Sequence, residues 1–189
     1  MRIISGEFRG RVLKSPSDAK TRPTSDRLRE TLFNIINPHI SEKTRFLDLC
    51  AGTGAVGIEA ISRGVCFADF VDKSRRACAL IEQNLDLLKI PKSKSKISCL
   101  SAEDFVSRPQ NCGWDMIFFD PPYSSDYGIV LEAIGKQGSQ ILNDDGILIV
   151  EHHFKNDLSS EYGMFERIRI VKQGETRLSL FANIKTAVC

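Results

Sequence analysis

The strongest constraint on this chain lies in Phe46-Leu47-Asp48-Leu49-Cys50-Ala51-Gly52-Thr53-Gly54-Ala55-Val56-Gly57, where an apolar run passes through glycines into a helix beginning at Ala55. Glycines between a strand and a helix permit a tight turn and close approach of the backbone to a ligand. The following text repeats the same alternation. Strands are predicted over 46–50, 67–71, 96–100, 114–119 and 146–150, with helices over 55–63, 74–89, 102–108 and 126–136. Strand and helix in that rhythm predict a doubly wound α/β fold, a mostly parallel sheet with helices on both faces. The end breaks the rhythm: residues 164–171 and 177–183, around Gln173-Gly174-Glu175, read as a terminal antiparallel hairpin. The expected sheet therefore has seven strands.

At 189 residues the chain is long enough for one well-cored domain and a small extension. Residues 2–14, with Gly6 and Gly10, read as a short hairpin, followed by a polar connection to Pro23. Thr24 or Ser25 then caps a helix whose Leu28, Leu32, Ile35 and Ile36 recur at helical spacing. The division expected is a basic extension over 1–40 and a ligand-binding domain over 41–189. No apolar run reaches membrane-spanning length, and Met1-Arg2-Ile3-Ile4-Ser5-Gly6 lacks the apolar core of a signal peptide. The expectation is a cytoplasmic protein, without a membrane partner. Cysteines stand singly at 50, 66, 78, 99, 112 and 189, and His39, His152 and His153 add no ligand spacing, so no metal site is expected.

Net charge is +2, but its distribution is uneven. Residues 1–29 carry eight Lys or Arg against three acids, and the remainder of the chain sums to −3. Such a concentration suits a surface that meets a polyanion, because Lys and Arg neutralising phosphates dominate nucleic-acid affinity. Arg9, Arg11, Arg22, Arg27 and Arg29 are the candidate contacts to a nucleic-acid backbone. The alternative for some of them, Arg22 and Arg27 especially, is an ion pair that fixes the N-terminal helix.

A second motif, Phe119-Asp120-Pro121-Pro122-Tyr123, follows the apolar Met116-Ile117-Phe118. Two prolines offer no N–H and bias the preceding residue toward extended backbone, so a strand stops there and no helix begins. An acid, proline carbonyls and an aromatic face together suit a flat ring bearing an amino group, as in a nucleobase.

Gly52-x-Gly54-x-x-Gly57 satisfies the dinucleotide fingerprint, and Asp72 lies 20 residues after Gly52 at the end of the next strand, placed to accept ribose hydroxyls. A pyrophosphate would use the helix N-terminus, whereas S-adenosylmethionine carries no phosphate and ends in an ammonium. Asp48 beside the loop repels the first and favours the second. With the turn at 120–123, the reading becomes a methyl donor. After the third strand Ser101, Glu103 or Asp104 can face the adenine, although acids at 103 and 104 also suit the first turn of a helix.

These pieces together resemble the RsmD-like family of bacterial ribosomal RNA (guanine-N2) methyltransferases. The resemblance runs through Met1–Gly6 with Phe8-Arg9-Gly10-Arg11, Thr21-Arg22-Pro23-Thr24, Arg27-x-Arg29-Glu30, Leu32-Phe33-Asn34, Leu47–Gly54, Ala60-x-x-Arg63-Gly64, Asp120–Tyr123 and Glu151-His152. It implies a Rossmann-like methyltransferase sheet, with Asp120, Pro121, Pro122 and Tyr123 as catalytic residues. It implies cofactor contacts from Asp48, Ala51, Gly52, Thr53, Gly54, Asp72, Lys73, Ser101, Ala102 and Glu103. The partner implied is ribosomal RNA, within the small subunit or its assembly intermediate, and the protein is expected to be a monomer. Adenine N6 or DNA amino groups form the closest alternative substrates. A nicotinamide-dependent oxidoreductase and a non-catalytic RNA-binding assembly factor are the alternatives of other classes.

Overall fold

A computed structural model describes residues 1–16, 26–110, 112–123 and 125–184. Arg22, the candidate caps Thr24 and Ser25, and Cys189 lie outside the described residues. The chain forms two compact units, Met1–Leu100 and Ser101–Cys189.

In the first unit, helix α1 (Asp26–Ile36) is followed by β1 (Arg45–Leu49), α2 (Ala55–Ser62), β2 (Phe67–Val71), α3 (Arg75–Leu87) and β3 (Ser95–Ser98). The strands run in the order β3-β2-β1, all parallel, with Leu47 opposite Asp69 and Phe70 opposite Ile97. Strand β1 and helix α2 are nearly all buried, as a strand covered on both faces and its crossover helix must be. The contact between α2 and β2 is tight enough to dictate sequence. A Cβ on Gly57 would lie 2.3 Å from Cε1 of Phe70, so only glycine lets the helix sit this close. Ser74 caps α3 by accepting the Ala77 N–H at 3.3 Å.

Residues 1–13 form a loop closed by a single antiparallel bridge, Arg2 to Val12, with Leu13 N–H donating to Met1 O at 2.9 Å. The expected hairpin is there in outline, without a continuous ladder.

The second unit contains α4 (Ala102–Val106), β4 (Trp114–Phe119), α5 (Tyr127–Gln137), β5 (Leu142–His153), β6 (Glu161–Tyr162), β7 (Phe165–Gln173) and β8 (Thr176–Asn183). Strand order is β4-β5-β8-β7-β6: β4 and β5 are parallel and the other pairs antiparallel. The fold is thus the expected α/β, mostly parallel and Rossmann-like with a terminal hairpin. Among the described residues it has eight strands rather than seven. The addition is β6, two residues that pair with Glu166 and Phe165 around Gly163 and are too short to leave a periodic signal. Ile117, Phe118, Leu148, Ile149, Val150, Leu178 and Phe181 form the core of this unit, none more than 1% exposed. Among the described residues, no helix is long and apolar enough to cross a membrane.

Candidate active site

The end of β1 turns into α2 through three residues with positive φ: Cys50 at 64°, Gly52 at 56° and Gly54 at 75°. The turn is braced from several sides. Ala51 N–H donates to Val71 O at 2.9 Å, tying it to the end of β2, and Gly54 N–H donates to Ala51 O at 2.8 Å. Asp72 Oδ2 accepts the Gly52 N–H at 2.8 Å, and its Oδ1 accepts the Ser74 N–H at 2.8 Å. Each carboxylate oxygen has two lone pairs, so the acid that organises the loop retains acceptor capacity for a ligand hydroxyl. A Cβ on Gly52 would meet nothing within 4 Å, so there is open space beside the loop. Lys73 is exposed next to it.

Asp48 lies at the base of the same loop. It is 2% exposed, and its Oδ2 accepts the Gly57 N–H at 2.9 Å. A carboxylate there stabilises the first turn of α2, whose leading N–H groups have no helical partner. Its charge reaches a ligand through that turn rather than through an exposed oxygen.

One residue in this region escaped the sequence reading. Asn84 is fully buried on α3 and donates from Nδ2 to Thr53 O at 3.0 Å and to Lys14 O at 3.2 Å, while Oδ1 accepts the Lys14 N–H at 2.8 Å. It ties the glycine loop to the N-terminal segment. The available signal was an asparagine among Ile81, Leu85 and Leu88 on the apolar face of a helix, where this residue type is unfavourable without a specific partner.

Ser101, Ala102 and Glu103 open α4. The Ser101 hydroxyl accepts the Asp104 N–H at 3.0 Å and donates to Asp104 Oδ2 at 2.7 Å, so both side chains work as a helix cap. Ala102 is buried, and Glu103 is exposed in the first turn. Of the three, Glu103 is the side chain presented to solvent.

The second motif ends β4. Phe119 is buried against Tyr127 in an edge-to-face pair, centroids 5.9 Å apart, and Asp120 emerges half-buried. Pro122 O accepts the Ser125 N–H at 2.8 Å, which closes the turn and makes the Pro121 carbonyl the candidate acceptor for substrate. Tyr123 is 41% exposed. Beneath it Tyr127 is buried, and burial pushes its phenol up to about 12, with the charges of Asp120 and Glu151 adding to the rise.

His152 is a structural residue. Only 4% exposed, its Nδ1 lies 3.0 Å from Asn156 O and 3.2 Å from His153 O, and its Nε2 lies 2.9 Å from Ser179 Oγ. Carbonyls only accept, so Nδ1 carries the proton and Nε2 accepts from the serine. Burial holds its pKa below the usual value, so the ring stays neutral. Asn156 Nδ2 in turn donates to Tyr123 O at 3.4 Å, joining the loop after β5 to the turn after β4.

Arg9, Arg11 and Arg27 are exposed, as a polyanion contact requires. Arg29 is a correction: it is 0% exposed, and its Nη2 donates to Arg2 O at 2.5 Å and Asp26 Oδ1 at 2.9 Å. Such a buried guanidinium fixes the N-terminal segment and does not meet RNA. Its neighbour Glu59, also 0% exposed, accepts Ile4 N–H at 2.8 Å, Ser5 N–H at 2.9 Å and Arg63 Nε at 2.9 Å. Gly6 completes the joint, since at φ 81° a Cβ would fall 1.8 Å from Ser62 O.

With this geometry the chain can be compared with known proteins. The family described as Conserved hypothetical protein 95 matches residues 1–182. Ribosomal RNA small subunit methyltransferase D of Escherichia coli (strain K12) is 34% identical over 159 residues, spanning 84% of this chain and 77% of that protein. Among solved structures, a hypothetical protein of Thermus thermophilus superposes with a TM-score of 0.81 at 28% identity, over 97% of this chain and 99% of that one. A methyltransferase-like protein solved in complex with SAH shares the fold at a TM-score of 0.63 and 16% identity, over 82% of this chain and 49% of that one.

Proposed function

This chain belongs to the Conserved hypothetical protein 95 family, the RsmD-like proteins, and on that premise we propose that it methylates the exocyclic N2 of a guanine in small-subunit ribosomal RNA. Ribosomal RNA methyltransferase activity is the coarser part of this reading, supported by the relative of that name. The guanine N2 is the finer part. The Asp120-Pro121-Pro122-Tyr123 turn at the carboxyl end of β4, in which a half-buried acid precedes an exposed aromatic ring, carries transfer to the amino group of a base, and the family resemblance favours guanine N2 among such groups.

The residues of the first unit fit S-adenosylmethionine. Open space flanks Gly52, Asp72 has acceptor capacity for ribose hydroxyls, and buried Asp48 lends negative charge to the end of the loop where a pyrophosphate would otherwise bind. Asp72, the backbone of Ala51 to Gly54 and Lys73 would hold the adenosine and amino-acid parts, and Glu103 is proposed as the adenine contact from sequence alone. When bound, S-adenosylmethionine supplies a methyl group activated by its sulfonium.

The chain's own task is to orient a poor nucleophile. The lone pair of the guanine amino group is delocalised into the ring. Asp120 Oδ and Pro121 O accept its two N–H bonds, which draws the nitrogen toward tetrahedral geometry and aims its lone pair. Tyr123 stacks on the base and fixes its plane. Asp120 stabilises the developing ammonium and takes its proton, or passes it to water. The base leaves its stack or comes from a loop to reach the turn. Arg9, Arg11 and Arg27 contact phosphates, and Arg22 is proposed with them from sequence alone. The protein acts in the cytoplasm as a monomer on the small subunit or its assembly intermediate.

The test is transfer of tritiated methyl to naked small-subunit RNA, small subunits and DNA, followed by nucleoside digestion. Label in N2-methylguanosine from RNA is the expected outcome. Label in N6-methyladenosine, or in DNA alone, removes the guanine assignment.

A further inference from the structure

The turn at 120–123 is continued by a row of aromatic rings that the reaction does not use. The Tyr123 and His153 centroids lie 5.5 Å apart with the planes at 54°, and those of His153 and Phe154 lie 4.6 Å apart at 39°. Phe154 is 46% exposed, at the point where β5 ends. Single exposed apolar side chains need no explanation. Three rings in contact, starting at a candidate catalytic turn, are a different observation.

The row is fixed and flanked by positive charge. Phe154 N–H donates to Glu175 O at 2.8 Å, and Lys155 N–H donates to His153 Nδ1 at 3.2 Å. The other ring nitrogen, Nε2, lies 3.9 Å from the exposed Glu175 carboxylate. Lys155 Nζ and Arg177 Cζ each lie 5.8 Å from the Phe154 centroid. Carbonyls of Gly174 and Thr176 hold Arg177 Nη1 at 2.8 and 2.9 Å, so the position of its guanidinium is set.

We propose that His153 and Phe154, continuing from Tyr123, form a stacking platform for unpaired RNA bases beside the target nucleotide, with Lys155 and Arg177 meeting the adjoining phosphates. This rests on the RNA methyltransferase reading and extends it to the flanking nucleotides. Every base has a π face, so aromatic rings bind single strands with little regard to sequence, and a basic border neutralises the backbone. The charge beside the rings argues for a nucleic acid strand over an apolar protein surface: two cations border Phe154, where an apolar partner would have to desolvate both.

The experiment compares wild type with Phe154→Ala, Phe154→Leu and Phe154→Tyr. Binding of a fluorescein-labelled 12-nucleotide single-stranded RNA of mixed sequence, and of an abasic strand of equal length, is read by anisotropy. The KM for small-subunit RNA and the dissociation constant for the methyl donor are measured alongside. Loss of one stacked base weakens binding about 5- to 160-fold. Phe154→Ala and Phe154→Leu are expected to weaken the mixed strand by that factor and raise KM in parallel. Phe154→Tyr restores both to within about threefold, and donor affinity does not move. Unchanged RNA affinity in Phe154→Ala overturns the proposal, as does an equal loss on the abasic strand. Wild type that methylates RNA while Phe154→Ala behaves identically sinks the platform alone. Wild type that neither binds nor methylates RNA sinks both readings.

Discussion

Asp72 Oδ2 accepts the Gly52 N–H at 2.8 Å, so the acid at the end of β2 holds in shape the same loop whose ligand it is proposed to bind. Asp72→Ala should therefore weaken donor binding twice over, by removing the ribose acceptor and by releasing the turn. The expected loss is about 10- to 160-fold, since a hydrogen bond to a charged group contributes about 1.5–3 kcal/mol. Asp72→Asn retains one acceptor oxygen and should fall between. Titration calorimetry with S-adenosylmethionine checks this. Affinity in Asp72→Ala within twofold of wild type would place the ribose elsewhere.

Removal of Asp120 should separate chemistry from cofactor binding. Asp120→Ala deletes the acceptor that orients the amino group and stabilises the developing ammonium, effects that reach about 10²–10⁴-fold in turnover. The donor's dissociation constant should stay within about threefold. Single-turnover methyl transfer with saturating donor isolates the step. A variant that retains wild-type turnover would refute the role given to the acid.

Most elements of the fold were legible because their periodicity is local. Strand β2 was read at its observed limits, and α3 and α5 within one or two residues at each end, since Ser74 and Asp126 cap them by side-chain bonds that the residue types announce. What escaped was non-local. Asn84 and Lys14 are 70 residues apart in sequence, and Glu59 and Ile4 are 55 apart. Nothing in a helix of mostly apolar residues says which distant N–H its one acid will receive. Arg29 misled for the same reason: exposed and buried arginines look alike in a basic segment, and only its pairing with Asp26 and Glu59 separates it from Arg27. Asp48 was read as a charge for the ligand, and its bond to the Gly57 N–H nine residues on had no signal in the sequence.

Glu59 should matter more to stability than any exposed residue of the first unit. It is fully buried and receives two backbone N–H groups and the Arg63 guanidinium, with Arg29 Nε 4.0 Å away. Glu59→Ala strands the Ile4 and Ser5 N–H groups, takes the carboxylate from Arg63 and leaves buried Arg29 with Asp26 alone, and breaking a buried pair of this kind costs about 3–5 kcal/mol. Glu59→Gln keeps the acceptor oxygen and should lose less. Urea unfolding of both variants at neutral pH gives the comparison. If Glu59→Ala lies within about 1 kcal/mol of wild type, against that expectation, the buried arginines are held by other groups.

His152 gives the protein an acid-sensitive joint between β5 and β8. Burial lowers its folded pKa below the unfolded value near 6.5, with Arg167 and Arg177 acting in the same direction and the carbonyls of His153 and Asn156 opposing. The unfolded chain then binds the proton more readily, so this stability is fully present above about pH 6.5 and drains away as pH falls below it. The slope is at most about 1.4 kcal/mol per pH unit, until the folded ring also protonates. Protonation would also turn Nε2 from an acceptor of the Ser179 hydroxyl into a donor, reversing that bond. His152→Gln cannot titrate. Urea unfolding at about pH 7.5 and about pH 5.5, on either side of the ordinary histidine value, should therefore show a larger drop for wild type than for His152→Gln, the carboxylates being common to both. Equal drops would mean that His152 titrates alike in the folded and unfolded chain, against its burial in the sheet.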